Sequence, residues 1–216
     1  PHFLAVSPTG QFVNECLINR LKSKTGIDTL VAAHRLDRTT AGLMLLSKKP
    51  TQRHQYHELF KHGNIRKYYQ AIAQLTPELI QQFNDGKLQL PRIWTVKNKI
   101  VTADPSFMMQ IVAGEANSHS EIELIEVKGD LGLFKLSPIT GKTHQLRLHM
   151  FSIGMPILND RLYPTLLDKS EDDFNKPLQL LAYQLQFTDP ISGIAHDLVT
   201  KPLKIGFFCY RRHLSK

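Results

Sequence analysis

The sequence predicts an α+β fold built on a mainly antiparallel sheet. Apolar-alternating stretches outnumber helical ones, and they follow one another in consecutive runs joined by short turns. The helical stretches are few and well punctuated. No internal repeat or low-complexity linker divides the chain, so its 216 residues are expected to close one core, a single domain over 1–216.

Each element has its own signal. Residues 11–25 carry Phe12, Cys16, Leu17 and Leu21 at helical spacing, with Gly26 placed as a C-terminal cap. "LVAAH" and "AGLMLLS" read as strands on either side of the polar "RLDRTT". Residues 50–62 open on Pro50 and stop at Gly63, as a helix does. "KYYQAIAQL" is a strand. "TPELIQQFNDG" has Thr76 as N-cap, Pro77 in the first turn and Asp85-Gly86 as its exit. From 87 to 138 the texture is β: "KLQL", "RIWTVKNKIVT", "FMMQIV", "EIELIEV" and "LGLFKLS", the last two joined across a turn at 128–132. "HQLRLHMFSIG" returns to helical period, with Leu146, Met150 and Ile153 on one face and His144, Arg147 and Phe151 on another. An acidic loop at 168–175 and "LQLLAYQLQF" before a "DPISG" turn complete the chain.

Lys and Arg outnumber Asp and Glu by 27 to 19, a net charge of +8 that favours a polyanionic partner, of which nucleic acid is the commonest. No apolar run reaches the roughly 18 residues of a membrane span, and "HFLAV" reads as a strand rather than a charged-then-apolar leader, with residues upstream of Pro1 left open. Two distant cysteines, Cys16 and Cys209, form no CxxC and suit a reducing, cytoplasmic setting. A monomer is expected.

Two constellations carry chemistry. In "HRLDRTTAGLMLL" Asp37 stands between Arg35 and Arg38. Neighbouring cations favour the ionised form of a carboxylate, which suits a nucleophile or base better than a general acid. No second acid nearby supplies the partner that a glycosidase needs. An ordinary loop ion pair is the plain alternative. In "SPITGKTHQLRLH", Lys142, Thr143 and His144 gather at a helix start suited to a phosphate, with Arg147 one turn on. A complete P-loop would require glycine at 136, where Leu136 stands. His54, His57 and His62 lack the HExxH spacing, and no GxSxG elbow marks a serine hydrolase. Tyr68 and Tyr69 alternate on one strand, so one is expected in the core and the other toward a cleft.

"HRLDRTTAGL", "KYYQAI", "TGKTHQLRLH", "PILNDRLY" and "LLAYQLQFTDPISG" together resemble the RluA-type RNA pseudouridine synthases, in order and approximate spacing, from about Ala5 to Pro202. The resemblance implies a central mixed, mainly antiparallel β-sheet flanked by helices, with an RNA-binding cleft across it. The implied reaction is uridine isomerisation in ribosomal or transfer RNA, without a cofactor. It assigns Asp37 as the catalytic aspartate, Tyr69 as the tyrosine that stacks on the target base and assists C5 deprotonation, and Arg147 as the arginine paired with the aspartate. It places His34, Arg35, Arg38 and Lys67 along the RNA, Arg35 where the uridine leaves the helix. Lys142, Thr143 and His144 would meet backbone phosphates. This chain departs from the family pattern at Thr39 (usually an acid), Ala41 (serine), Lys142 (arginine), Asn159 (glycine) and Leu181 (histidine). The family often carries a small RNA-binding domain ahead of the catalytic one, and none is visible; its usual Asp-Lys pair would fall just upstream of Pro1. On the residues alone two other classes stay open, an RNA-binding protein without catalysis and a nucleotide-binding protein.

Overall fold

The computed structural model describes residues 1–8, 13–167 and 171–205. An eight-stranded sheet forms its centre. Strand β4 (Ile65–Gln74) lies between β8 (Leu131–Pro138) and β9 (Leu180–Thr188), antiparallel to both. Beyond β8 come β7 (Ser118–Lys128), β5 (Arg92–Thr102) and β6 (Met109–Val112), and beyond β9 comes β10 (Ala195–Val199). One parallel contact makes the sheet mixed: β2 (Ala41–Gly42) lies against Leu181 and Ala182 of β9. The expected fold class is thereby met. Among the described residues no helix is long and apolar enough to cross a membrane.

Alternation explains how the sheet is covered. Tyr69, Ala71 and Ala73 of β4 share a face, which packs with Ile122, Leu124, Phe134 and Leu136 beneath α3 (Pro77–Asn84) and α4 (Gln145–Ser152). Ile72, between them, packs with Leu133 and Ile205. Ala71, Ile72 and Ala73 are fully buried, so the centre of β4 is covered on both sides and reads as a continuous apolar run. Helix α2 (Arg53–Lys61) closes a second cluster, setting Leu59 against Ile65, Leu185 and Phe187. A third joins Ala5, Cys16 and Ile18 of α1 (Leu17–Thr25) to Ala32 and Leu46, from the short pair β1 (Val31–Ala32) and β3 (Leu46–Ser47). Cys16 is buried and unbridged; Cys209 lies outside the described residues.

Helix boundaries follow the cap signals. Thr76 accepts from the Leu79 N–H, Pro77 opens α3, and Gly26 ends α1 in the left-handed region at φ 69°. Helix α1 starts later than its apolar spacing implies, because Cys16 is still extended. "AGLMLLS" is not one strand. After Gly42 (φ 126°) the chain leaves β9, and four residues later it pairs with β1. "KLQL" forms a loop whose first N–H groups bond the Gln82 carbonyl at the end of α3. Helix α4 is not amphipathic: Gln145 through Met150 are all buried, its polar side chains included.

His149 is one of them. It is fully buried, its Nε2 lies 3.0 Å from both Ser118 Oγ and Asn98 Oδ1, and its Nδ1 has no partner among the described residues. Burial holds its pKa down to about 4, with the charge of His119 acting the same way. Burial likewise brings His34 to about 4. Both groups bind protons more readily unfolded, near pH 6.5, than folded, so stability is complete above that value and is lost as pH falls toward 4. The expected loss is on the order of 3 kcal/mol for His149 alone. Urea titrations between pH 7 and pH 4.5 read it directly, and a flat profile would contradict it.

Candidate active site

A cleft of about 1150 Å³ runs beside β4, between α2 on one wall and the 137–147 segment on the other. Five stretches distant in sequence line it: 33–37 with Thr40, 57–69, Asn117, 137–147 and Leu180. Asp37, Tyr69 and Arg147 are among the lining residues, along with His34, Arg35, Lys67, Lys142, Thr143 and His144.

The Asp37 loop is pinned on several sides. Leu45 N–H donates to His34 Nε2 at 3.1 Å, while His34 Nδ1 lies 3.2 Å from the Arg35 carbonyl. The His34 ring stacks on Phe60, centroids 4.5 Å apart. With both nitrogens engaged and its pKa lowered by burial, His34 is a neutral strut that braces the loop. It still lines the cleft, so this bracing stands beside the RNA contact expected of it. Thr40 N–H closes the turn onto the Asp37 carbonyl at 2.9 Å. Gly42 then presses against β9, where a Cβ would overlap the Ala182 backbone. Its positive φ and that contact together require glycine.

The arginines flanking Asp37 do not pair with it. Arg38 points away to a bidentate bond with Asp172 (2.7 Å for each nitrogen), packs over the Phe3 ring, and does not line the cleft. Arg35 is exposed on the cleft wall. Neighbours in a turn fan out, so adjacency in the chain did not become adjacency in space. The ionisable group beside the Asp37 carboxylate is instead His144, whose Nε2 lies 3.8 Å from Oδ2.

Tyr69 sits on β4 at a bulge, facing the α4 side of the sheet. Burial, reinforced by the charge of Asp37, raises its pKa, so the hydroxyl keeps its proton at neutral pH. That suits a stacking platform better than a phenolate base. Tyr68 carries the Lys135 amine 5.1 Å above its ring. Lys67 reaches the opposite wall, 3.6 Å from where a Gly141 Cβ would stand, and burial lowers its pKa.

Arg147 holds Asp160, not Asp37. Nε and Nη2 bond the two carboxylate oxygens at 2.7 and 2.5 Å, and the side chains are 4% and 1% exposed. Burial disfavours the guanidinium charge, but the Asp160 bonds and charge outweigh it, with Asp37 adding to them, so its pKa stays raised. Asp160 Oδ1 also accepts from the Leu162 and Tyr163 N–H groups. Tyr163 places its ring 5.2 Å from the Arg147 guanidinium and its hydroxyl 2.9 Å from His144 Nδ1.

The 139–144 turn is held from within. Gln145 Oε1 accepts from Thr140 Oγ1 and Lys142 N–H, and its amide donates to the His119 carbonyl and Ser120 Oγ. Lys142 and Thr143 stay free to face the cleft, whereas His144 turns inward. Asp160, Tyr163 and Gln145 escaped the sequence reading. The available signal was an acid and a tyrosine three residues apart in "PILNDRLY". Asn159, which replaces the family's glycine there, has φ 63°, a conformation asparagine tolerates, and it donates to the Pro177 carbonyl. Among the described residues no group of three or more His, Cys, Asp or Glu is placed to hold a metal ion.

The chain is similar to several known proteins. Residues 1–152 match the model of the RNA pseudouridylate synthase family. The chain is 32% identical to the dual-specificity RNA pseudouridine synthase RluA of Haemophilus influenzae, over 82% of this chain and 74% of that protein. It is also 32% identical to the ribosomal large subunit pseudouridine synthase C of Buchnera aphidicola, over 81% of this chain and 53% of that one. The solved structure of human RNA pseudouridylate synthase domain containing 4 superposes with a TM-score of 0.66 at 26% identity, covering 93% of this chain and 82% of that one. An aspartate loop, a cleft tyrosine and a buried arginine brought to one basic-walled cleft, in a chain with these relatives, lead to one conclusion: this chain belongs to the RNA pseudouridylate synthase family and is an RluA-type pseudouridine synthase, an isomerase.

Proposed function

We propose that this protein isomerises particular uridines of ribosomal or transfer RNA, with Asp37 attacking a uridine flipped out of the RNA. The observation that carries the reading is the convergence of Asp37, Tyr69 and Arg147, from three separate segments, on one cleft. The names of the two bacterial relatives, one dual-specificity and one ribosomal, support the substrate class.

The chemistry matches what the cleft offers. The C1′–N1 bond breaks, the uracil turns, a C1′–C5 bond forms, C5 gives up its proton and N1 gains one. Composition is unchanged, so no electron or group has to be supplied. Flipping a nucleotide costs a few kcal/mol, and stacking on an aromatic such as Tyr69 returns about 1–3 kcal/mol. Arg35, Lys67 and Lys142 on the walls meet phosphates, which gives an affinity that falls steeply with salt. Arg147, locked to Asp160, extends a fixed positive field to Asp37 rather than a mobile partner.

The test is to incubate the protein separately with unmodified ribosomal and transfer RNA and to map new pseudouridines. Discrete sites in either RNA are expected. Absence of product from both would overturn the proposal.

A further inference from the structure

We infer that His144 is a positioning residue for the Asp37 carboxylate, fixed in one tautomer by the Tyr163 hydroxyl. This rests on the reading of the cleft as a pseudouridine site, and it replaces the phosphate contact expected of His144 from the sequence.

The geometry is unusual for a residue that opens a helix. His144 occupies the N-cap position of α4 with φ 53°, a left-handed conformation that a residue other than glycine adopts at a cost. Its side chain does not cap the helix. Instead the ring bridges two groups, with Nδ1 2.9 Å from Tyr163 Oη and Nε2 3.8 Å from Asp37 Oδ2. The His144 side chain is only 11% exposed, and no other ionic partner lies within 4 Å of the Asp37 carboxylate among the described residues.

The tautomer follows from counting protons. Tyr163 Oη accepts from the Met109 N–H at 2.9 Å, which leaves its own proton to donate to His144 Nδ1. A neutral imidazole that accepts at Nδ1 carries its proton on Nε2, the nitrogen facing Asp37. The ring is neutral at pH 7: burial lowers its pKa, Arg147 and Arg35 act in the same sense, and Asp37 and Asp160 oppose them without prevailing. A directed line of donors thus runs from β6 through Tyr163 and His144 to the carboxylate. At 3.8 Å the last link is longer than a hydrogen bond, and it tightens when substrate fills the cleft. Tyr163 also packs on Arg147 and gives its N–H to Asp160, so one residue steadies the imidazole and the buried ion pair together.

Two substitutions separate positioning from phosphate binding. Asparagine at 144 suits the left-handed backbone and reaches Tyr163, but it is too short to reach Asp37. Glutamine places its amide nitrogen where Nε2 stands. In single-turnover reactions His144→Asn should slow the chemical step about 10–100-fold, with the RNA Kd within about threefold of the parent. His144→Gln should regain most of that loss. Equal rates for the two variants, or a loss that resides in Kd, would overturn the inference. Should the unsubstituted protein modify no RNA, the proposed reaction falls, and His144 is then judged without substrate. Long-range 1H–15N spectra of the RNA-free protein at pH 7 should show its proton on Nε2, and should lose that preference in Tyr163→Phe. A proton on Nδ1 in the unsubstituted protein would sink the assignment.

Discussion

Asp37→Asn should abolish pseudouridine formation, lowering the single-turnover rate by on the order of a thousandfold or more, while leaving the fold and RNA binding in place. The asymmetry comes from how little the carboxylate holds together. Its backbone is fixed by the Thr40 N–H, by His34 and by the Gly42 contact with β9, but among the described residues its own oxygens carry no hydrogen bond and have His144, at 3.8 Å, as their one ionic neighbour. Asparagine has the same shape and keeps an oxygen for that contact, yet it cannot act as a nucleophile or base. Removing a negative charge from a cleft meant for phosphates should, if anything, tighten binding. The checks are a single-turnover assay, a filter-binding titration and a melting curve on one preparation. Persistent turnover in Asp37→Asn would remove the carboxylate from the chemistry.

Asp160→Ala should do the reverse, damaging the fold first. Asp160 accepts four hydrogen bonds, two from the Arg147 guanidinium and two from backbone N–H groups, at 1% side-chain exposure. Deleting it strands a buried guanidinium, a situation that typically costs about 3–5 kcal/mol. For a chain of this size that corresponds to a drop of roughly 10 °C in Tm. Replacing both partners with apolar residues, as in Arg147→Met with Asp160→Leu, should recover much of the stability, because it removes the stranded charge rather than the bond alone. It should not restore turnover. If the double variant were as unstable as Asp160→Ala, the cost would lie in the 160–163 turn and not in the ion pair.

Much of the site was legible because its components are local. Asp37 in "HRLD", Tyr69 in "KYY" and Arg147 in "HQLR" sit in short segments whose capping glycines and apolar flanks announce a loop, a strand and a helix start. What spacing along a chain cannot reveal is the partner across space. Arg38 reads as a cation beside Asp37 but finds Asp172, and Arg147 finds Asp160. His34 and His144 read as RNA-facing from the resemblance, His144 also from its place at a helix start suited to a phosphate. What the sequence does not reveal is that the Leu45 N–H engages the first and the Tyr163 hydroxyl the second. Helix α4 misled for the same reason. Its period placed His144, Arg147 and Phe151 on one face, whereas Gln145 through Met150 are all buried and Arg147 is held by Asp160 from another segment. The division of "AGLMLLS" into two strands depended on a distant segment too, since β2 exists only because β9 lies beside it.

That last pairing bears on when the enzyme comes into being during synthesis. The contact of Ala41 and Gly42 with Leu181 and Ala182 spans nearly two-thirds of the chain, and β4 depends on the same late strand for one of its edges. A ribosome that has extruded the aspartate, the tyrosine and the arginine has still not delivered the surface against which the aspartate loop docks. Docking of the aspartate loop therefore waits on β9, which is made after all three of those residues.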